Sequence, residues 1–549
     1  LETVSIALFL LLAVVVSGAV SRMLPLAAPT PLVQIMLGAA IGLSTSYRVQ
    51  LDPELFLLLL LPPLLFLDGW RIPKDELLKD VTIVVELALG LVLLTVIGMG
   101  FFIHWMIPAM PLAVAFALAA VISPTDPIAV SAIAARVPIP RRMMHILEGE
   151  SLLNDASGLV CLRFAIAAAL TGSFSLSEAT LNFLWVAGAG AAVGTAVTLA
   201  ATRAKAWVSE RFGEEPGAQI LISLLIPFGS YLLAEHLHAS GILAAVAAGV
   251  TMTFAEISRQ TMASTRMRRN SVWDTIQFAL NGIIFVLLGE QLPGILAGAA
   301  ETVRITGHQD AAWLGVYVIA IVAGLAALRF SWVWVSLRLT MLRRRAGAKP
   351  GDAPLHSPGW RLVAAMSFAG VRGAITLAGV LTLPLTLNDG SPFPARDLAI
   401  FLAAGVIIVS MVIASVALPL LLKGLTMPAE PSLLAEEDAA RVIASEAAIR
   451  EIERRQHALA EQRGDADFYA AAGGRVMDLY RDRIESRSQG PKASAEARLQ
   501  DMLERDFRVV GLKAERDAVF RLVRGRRISS ATARKMIREL DLLETRYRG

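Results

Sequence analysis

The chain has 549 residues, of which 55% are hydrophobic and 18% charged, with a formal net charge of +4 and a mean hydropathy of +0.59. Those values exclude an ordinary soluble domain of this size, and many nearly uncharged windows reach the roughly 20 residues that cross about 30 Å of hydrocarbon. The single cysteine, Cys161, excludes an intrachain disulfide and a cysteine metal cluster. The absence of strand alternation argues against a membrane barrel.

Thirteen spans are expected, at 3–21, 31–46, 53–70, 80–104, 110–134, 145–171, 179–202, 218–237, 240–257, 272–291, 312–342, 361–387 and 397–422. The first shows no cleavage pattern and reads as a retained span. Lys and Arg separate the loops into two sets. One holds nineteen, among them Arg71, Arg142, Arg211, Arg268 and Arg344; the other holds three, Arg48, Arg304 and Arg396. The basic set is expected in the cytoplasm, with the N-terminus outside and the C-terminus inside. Past about residue 425 the composition becomes charged and Ala-rich with helical spacing. Residues 1–424 are therefore read as a membrane domain and 425–549 as a cytoplasmic helical tail of regulatory or assembly role, punctuated at Gly473-Gly474 and Gln489-Gly-Pro491. The tail's Arg524-Gly-Arg-Arg527 is a candidate contact for anionic lipid, with a solvated helix end as the simpler reading. Ser529 is placed to cap the helix that follows.

Two spans carry interruptions. Ser123-Pro-Thr-Asp-Pro127 puts two residues without N–H donors around Thr125 and Asp126 in the fifth. Unwound backbone at that depth is tolerated only where it is buried or lines a cavity, and Asp126 suits the positive end of a half-helix. Phe368-Ala-Gly-Val-Arg-Gly373 puts Arg372 between glycines in the twelfth, where a guanidinium needs a carboxylate or carbonyl partner. The interruptions lie seven spans apart and so run in opposite directions. Each is fifth of six when spans 1–6 and 8–13 form two halves. This is the pattern of inverted repeats with crossing broken helices.

The sixth span opens on Glu148-Gly-Glu-Ser-Leu-Leu-Asn-Asp155. At roughly 100° per residue Glu150, Ser151, Asn154 and Asp155 share one face about 140° wide, with Gly158 in its middle. Such a face is costly in lipid and points to function. Asp68, in Leu61-Pro-Pro-Leu-Leu-Phe-Leu-Asp68, is expected near the cytoplasmic end of the third span, shaping an ion funnel or bonding Asn154; an interfacial carboxylate beside Trp70 is the plainer reading. Arg163 is expected to snorkel to the outer interface.

Together these motifs resemble the bacterial sodium/proton antiporters of the cation:proton antiporter-1 family, which includes NhaP-type antiporters and animal sodium/hydrogen exchangers. The resemblance rests on Leu61-Pro-Pro-Leu-Leu-Phe, Ser123-Pro-Thr-Asp-Pro-Ile-Ala-Val130, Glu148–Asp155 and Gly370-Val-Arg-Gly-Ala374, and covers about residues 1–424. It implies a six-helix core domain, a separate dimerisation domain giving a homodimer, and elevator-like alternating access. It also implies an ion site at Asp155, Asn154, Ser151, Glu150 and the backbone of Thr125, with Arg372 as a buried arginine and Asp68 at a variable position. The Asn154-Asp155 pair implies electroneutral exchange.

The expected function is therefore exchange of Na+ (or Li+ or K+) for H+ across a bacterial inner membrane. Cation and proton compete at Asp155; Asp155, Glu150, Ser151 and Thr125 supply oxygen ligands. Burial and the ends of half-helices act in opposite senses on the proton affinity of Asp155. Arg372 is expected to stabilise the core through a carboxylate such as Glu150. No cofactor, enzymatic activity or nucleic-acid partner is expected. The rivals are a potassium/proton antiporter or channel-like cation efflux system, a membrane sensor with the tail as output, and an intramembrane hydrolase. The last lacks a Ser/His dyad or His-Glu-x-x-His site.

Overall fold

The computed structural model describes residues 2–23, 29–44, 53–71, 86–127, 130–131, 139, 141–172, 176–257, 263–298, 304, 310, 312–347, 359–423, 431–462, 466–488 and 491–548. These are almost entirely helical and divide into two compact units, Leu1–Leu425 and Thr426–Gly549.

In the first unit the helices are α1 (Glu2–Met23), α2 (Thr30–Ser44), α3 (Pro53–Arg71), a π turn (Glu86–Gly90) running into α4 (Leu91–Met106), α5 (Leu112–Ile122), α6 (Arg141–Thr171), α7 (Leu176–Phe212), α8 (Pro216–His236), α9 (Gly241–Ile257), α10 (Ala263–Ala297), α11 (Ala312–Gly347), α12 (Trp360–Phe368), α13 (Ala374–Leu381) and α14 (Arg396–Leu422). Each of the thirteen expected spans overlaps one of them. Among the described residues, seven helices are long and apolar enough to cross a membrane, and four shorter ones are apolar. Large apolar side chains face outward on them, including Leu12 and Val15 on α1, Leu221 and Leu225 on α8, and Val416 and Leu420 on α14. A water-soluble unit would bury such side chains; a lipid-facing one has no reason to.

Packing is close because glycines sit where helices meet. α2 packs on α10 and α3 on α9. A Cβ on Gly38 would stand 2.0 Å from the Val286 carbonyl oxygen, and one on Gly249 would stand 2.1 Å from that of Phe66. Small residues let backbones approach where no water-driven hydrophobic effect pulls helices together.

Both expected interruptions are breaks. α5 ends at Ile122 and the chain is not helical from Ser123 to Asp126; α12 ends at Phe368, and α13 begins at Ala374. Past its exposed first residue, Leu112, α5 runs into the interior, with Val114 to Ile122 buried except Phe116.

The second unit holds α15 (Pro431–Gln462), α16 (Ala466–Ser488), α17 (Pro491–Arg524) and α18 (Ser530–Arg548). Gly473-Gly474, expected to punctuate the tail, lies inside α16. Gly473 faces the Gln456 side chain of α15 and serves the packing of α16 on it, while a Cβ at Gly474 would meet nothing within 4 Å. Arg487 is buried between Asp438 at 2.5 Å and Asp501 at 2.6 Å. Ser529 caps α18, its Oγ accepting from Thr532 N–H at 3.1 Å.

Candidate functional site

The two breaks touch. The N–H of Asp126 donates to the carbonyl of Val371 at 2.7 Å. Gly373 makes the approach possible, since a Cβ there would lie 1.7 Å from Asp126 Oδ2. α6 closes on the first break through Gly158, where a Cβ would stand 2.5 Å from Pro124 Cγ. The glycines and prolines of these motifs thus set how near three segments come.

A cavity opens at this junction. Asp68, Asp126 and Asp155 bring three carboxylates to its wall, beside Ser151, Thr125 and Asn281. The Asp155 side chain is almost fully buried, and Ser151 Oγ donates to its Oδ2 at 3.3 Å. Asn281 of α10 is buried too, and its Oδ1 has no hydrogen-bond partner among the described residues. Hard oxygen donors around a small space suit an alkali cation or a proton in place of one.

A polar network meets the cavity at Thr125. Both Glu150 oxygens are taken by Arg329 of α11, with Nη2 donating to Oε2 at 2.8 Å and Nη1 to Oε1. The pair is buried, with side-chain exposures of 3% and 0%. Thr125 Oγ1 donates to Glu150 Oε1 at 3.4 Å and accepts from Asn154 Nδ2 at 2.9 Å. Arg329 Nε also donates to the Met366 carbonyl at 3.0 Å, in the last turn of α12. Gly370 leaves the room for it: a Cβ there would meet Arg329 Cδ at 2.8 Å.

Arg372 sits between the half-helices. Its Nε donates to the carbonyl of Ile122, the last residue of α5, at 2.8 Å, and its Nη1 donates to the carbonyl of Gly370 just beyond α12. A cation at two helix C-termini offsets the negative ends of both dipoles and satisfies carbonyls that the breaks leave without helical partners. Its expected carboxylate partner is corrected accordingly. Glu150 pairs with Arg329, which the backbone of α11 carries to it, while Arg372 finds carbonyls close by.

The expected site residues are thus sorted by position. Asp155, Ser151 and Thr125 line the cavity, joined by Asp126 and Asp68. Asn154 and Glu150 are not part of its lining: Glu150 is held by Arg329, and Asn154 donates through Nδ2 to Thr125 while its buried Oδ1 has no partner among the described residues. Among the described residues no hydrogen bond joins Asp68 to Asn154, which donates to Thr125. Trp70 packs tilted against Phe66 and edge-on to Trp273 in a separate cluster, while Asp68 turns to the cavity. Arg163 pairs with Glu235 at 2.7 Å, partly exposed and away from the cavity lining. Two residues escaped the reading of the sequence as parts of the site. Arg329 carried a usable signal: it is the sole charged residue from Ala312 to Leu337. Asn281 carried none beyond being one amide in an apolar run.

A helical membrane unit with titratable carboxylates at the meeting point of two broken helices defines an ion-coupled carrier. A family model for the transmembrane region of sodium/hydrogen exchangers matches residues 9–424. The chain is 42% identical over 546 residues to an uncharacterised Na+/H+ exchanger, YjcE, of Escherichia coli K12, covering 98% of this chain and 97% of that one. It is also 42% identical over 419 residues to a sodium, potassium, lithium and rubidium/H+ antiporter of Bacillus pumilus, covering 76% of this chain and 61% of that one. Among solved structures, the sodium proton antiporter MjNhaP1 of Methanocaldococcus jannaschii matches with a TM-score of 0.56 at 19% identity, over 77% of this chain and 99% of that one, which shows a shared fold. The chain belongs to the sodium/hydrogen exchanger family. It is accordingly a multi-pass cation/proton antiporter, from a family of transporters rather than enzymes.

Proposed function

We propose that the chain exchanges one alkali cation for one proton by alternating access, with both ions competing for the Asp155 carboxylate. The observation that carries this reading is the position of Asp155: buried, in a cavity with two further aspartates, where the breaks meet. Three carboxylates in a small space repel one another, and either a cation or a proton relieves that repulsion. One carboxylate cannot hold both ions, so competition alone couples the fluxes.

Ser151 and Thr125 serve as oxygen ligands beside Asp155, and Asn281 Oδ1 is a further candidate. Asp68 and Asp126 draw the cation into the cavity. Glu150, with both oxygens on Arg329, acts as a positioning residue and not as a ligand; Asn154 ties α6 to the first break through Thr125. Arg372 holds the two half-helices together. The protein works as a homodimer in a bacterial inner membrane, with the N-terminus outside and the tail in the cytoplasm. Nothing in this scheme requires a cofactor.

The test is proton flux in everted vesicles on addition of Na+ or Li+. Asp155→Asn abolishes the flux; full activity in that variant refutes the reading. An exchange rate that follows an imposed membrane potential refutes one-for-one stoichiometry. The Bacillus pumilus relative is named as an antiporter of sodium, potassium, lithium and rubidium, so a series of those cations belongs in the same assay.

A further inference from the structure

The second unit carries a charge arrangement that the exchange scheme does not use. α17 and α18 form a hairpin around Leu512, Val519, Ala533 and Leu540, with Ile528 and Ile537 packed against them. The turn is tightly closed. Gly525 N–H donates to the Arg521 carbonyl, Arg526 N–H to that of Val523 and Arg527 N–H to that of Leu522, each at 2.9 Å. Arg526 takes φ of 53°, the left-handed conformation that reverses the chain at a helix end.

Charge is distributed unevenly along this hairpin. Away from the turn, Arg516 pairs with Asp541 and Glu544, and Arg508 with Glu504. From Arg521 to Arg538, by contrast, there are seven cations and no acidic residue. They are Arg521, Arg524, Arg526, Arg527, Arg534, Lys535 and Arg538, and all are exposed. The side chain of none takes part in an ion pair or hydrogen bond among the described residues. Their summed charge exceeds the +4 of the entire chain, so the remainder is net acidic. A folded tip of this kind, held at fixed spacing by a packed hairpin and left without internal counter-charges, is built to meet an extended anionic surface.

We propose that the α17–α18 tip docks on the anionic phospholipid headgroups of the bilayer that holds the first unit. The covalent link supplies the proximity, so that contact is intramolecular and needs little affinity. Each basic side chain near an anionic membrane surface strengthens attachment about fivefold, and seven acting together suffice for stable docking at moderate salt. The interaction fades as added salt shortens the Debye length.

The test uses full-length protein with Cys161→Ser and Ala531→Cys, labelled with a fluorophore at position 531 and placed in nanodiscs doped with a headgroup quencher. Discs of phosphatidylglycerol with phosphatidylcholine should quench the probe, and discs of phosphatidylcholine alone should not. Arg524→Gln, Arg526→Gln, Arg527→Gln and Lys535→Gln together should weaken docking about a hundredfold or more and abolish the quenching, while the three Arg→Lys changes should preserve it. Soluble glycerol phosphate at millimolar concentration should not compete, since the site is a surface and not a pocket for one phosphate. Equal quenching in both lipids, or none in the anionic discs, overturns the proposal. Circular dichroism of the Gln variant confirms that the helices persist, which is expected because none of the four side chains is in the hairpin core. Exchange activity is measured separately, so failure here leaves the Asp155 scheme standing.

Discussion

Removing Arg329 should cost more folding stability than removing any cavity ligand. Its guanidinium engages both oxygens of Glu150 and the Met366 carbonyl, in a pair with 3% and 0% exposure. Arg329→Met keeps much of the volume but leaves Glu150 buried without a counter-charge. Stranding one member of a buried pair costs about 3–5 kcal/mol, or about two to four orders of magnitude in the folded population. Arg329→Met combined with Glu150→Leu removes both charges, and replacing a buried pair by apolar residues is often neutral. The double variant should therefore recover most of the loss, giving a coupling of at least about 2 kcal/mol in a double-mutant cycle. Thermal and denaturant unfolding of purified protein in detergent measures it, with proton flux followed in parallel. Single variants that each cost under about 1 kcal/mol, or costs that simply add, would refute the claim that this pair braces the site.

Further outcomes follow from individual contacts. Gly373→Ala should nearly abolish flux, because its Cβ would stand 1.7 Å from Asp126 Oδ2, while Gly188→Ala, with nothing within 4 Å, should leave flux unchanged. Arg372→Lys retains the charge but not the fork that reaches both the Ile122 and Gly370 carbonyls; flux should fall at least about tenfold and detergent stability by about 1–3 kcal/mol. Asn281→Ala should raise the cation concentration for half-maximal flux severalfold while the maximal rate holds, since it removes a neutral oxygen from the cavity and no titrating group. An unchanged half-saturation would take Asn281 out of the coordination sphere.

Much of the framework was legible because lipid leaves a chain few options. Uncharged windows of about 20 residues mark spans, and a proline or glycine pair among polar residues at mid-depth marks a break. Ile122–Pro127 and Phe368–Gly373 therefore announced the two interruptions. The Glu150, Ser151, Asn154 and Asp155 face was fixed by helical period alone. Pairing between distant helices was not. A lone arginine in lipid demands a partner but does not name it, and Glu150 had two arginines to choose from. Arg329 won because Gly370 admits its stem beside α12, whereas Arg372 turns to the carbonyls at two helix ends.

The sequence by itself determined the helical class, the breaks, the polar face of α6 and the basic run from Arg521 to Arg538, since each depends on composition or on short spacing along one segment. The tertiary structure decided which of those polar groups share a cavity. It set Asp68 and Asn281 beside Asp155 and drew Glu150 behind it onto Arg329, because contacts between helices far apart in sequence follow from where small residues let backbones meet. It also showed that the basic run is one folded hairpin tip with no ion-pair partner among the described residues, a property of three-dimensional arrangement that composition along the chain does not carry.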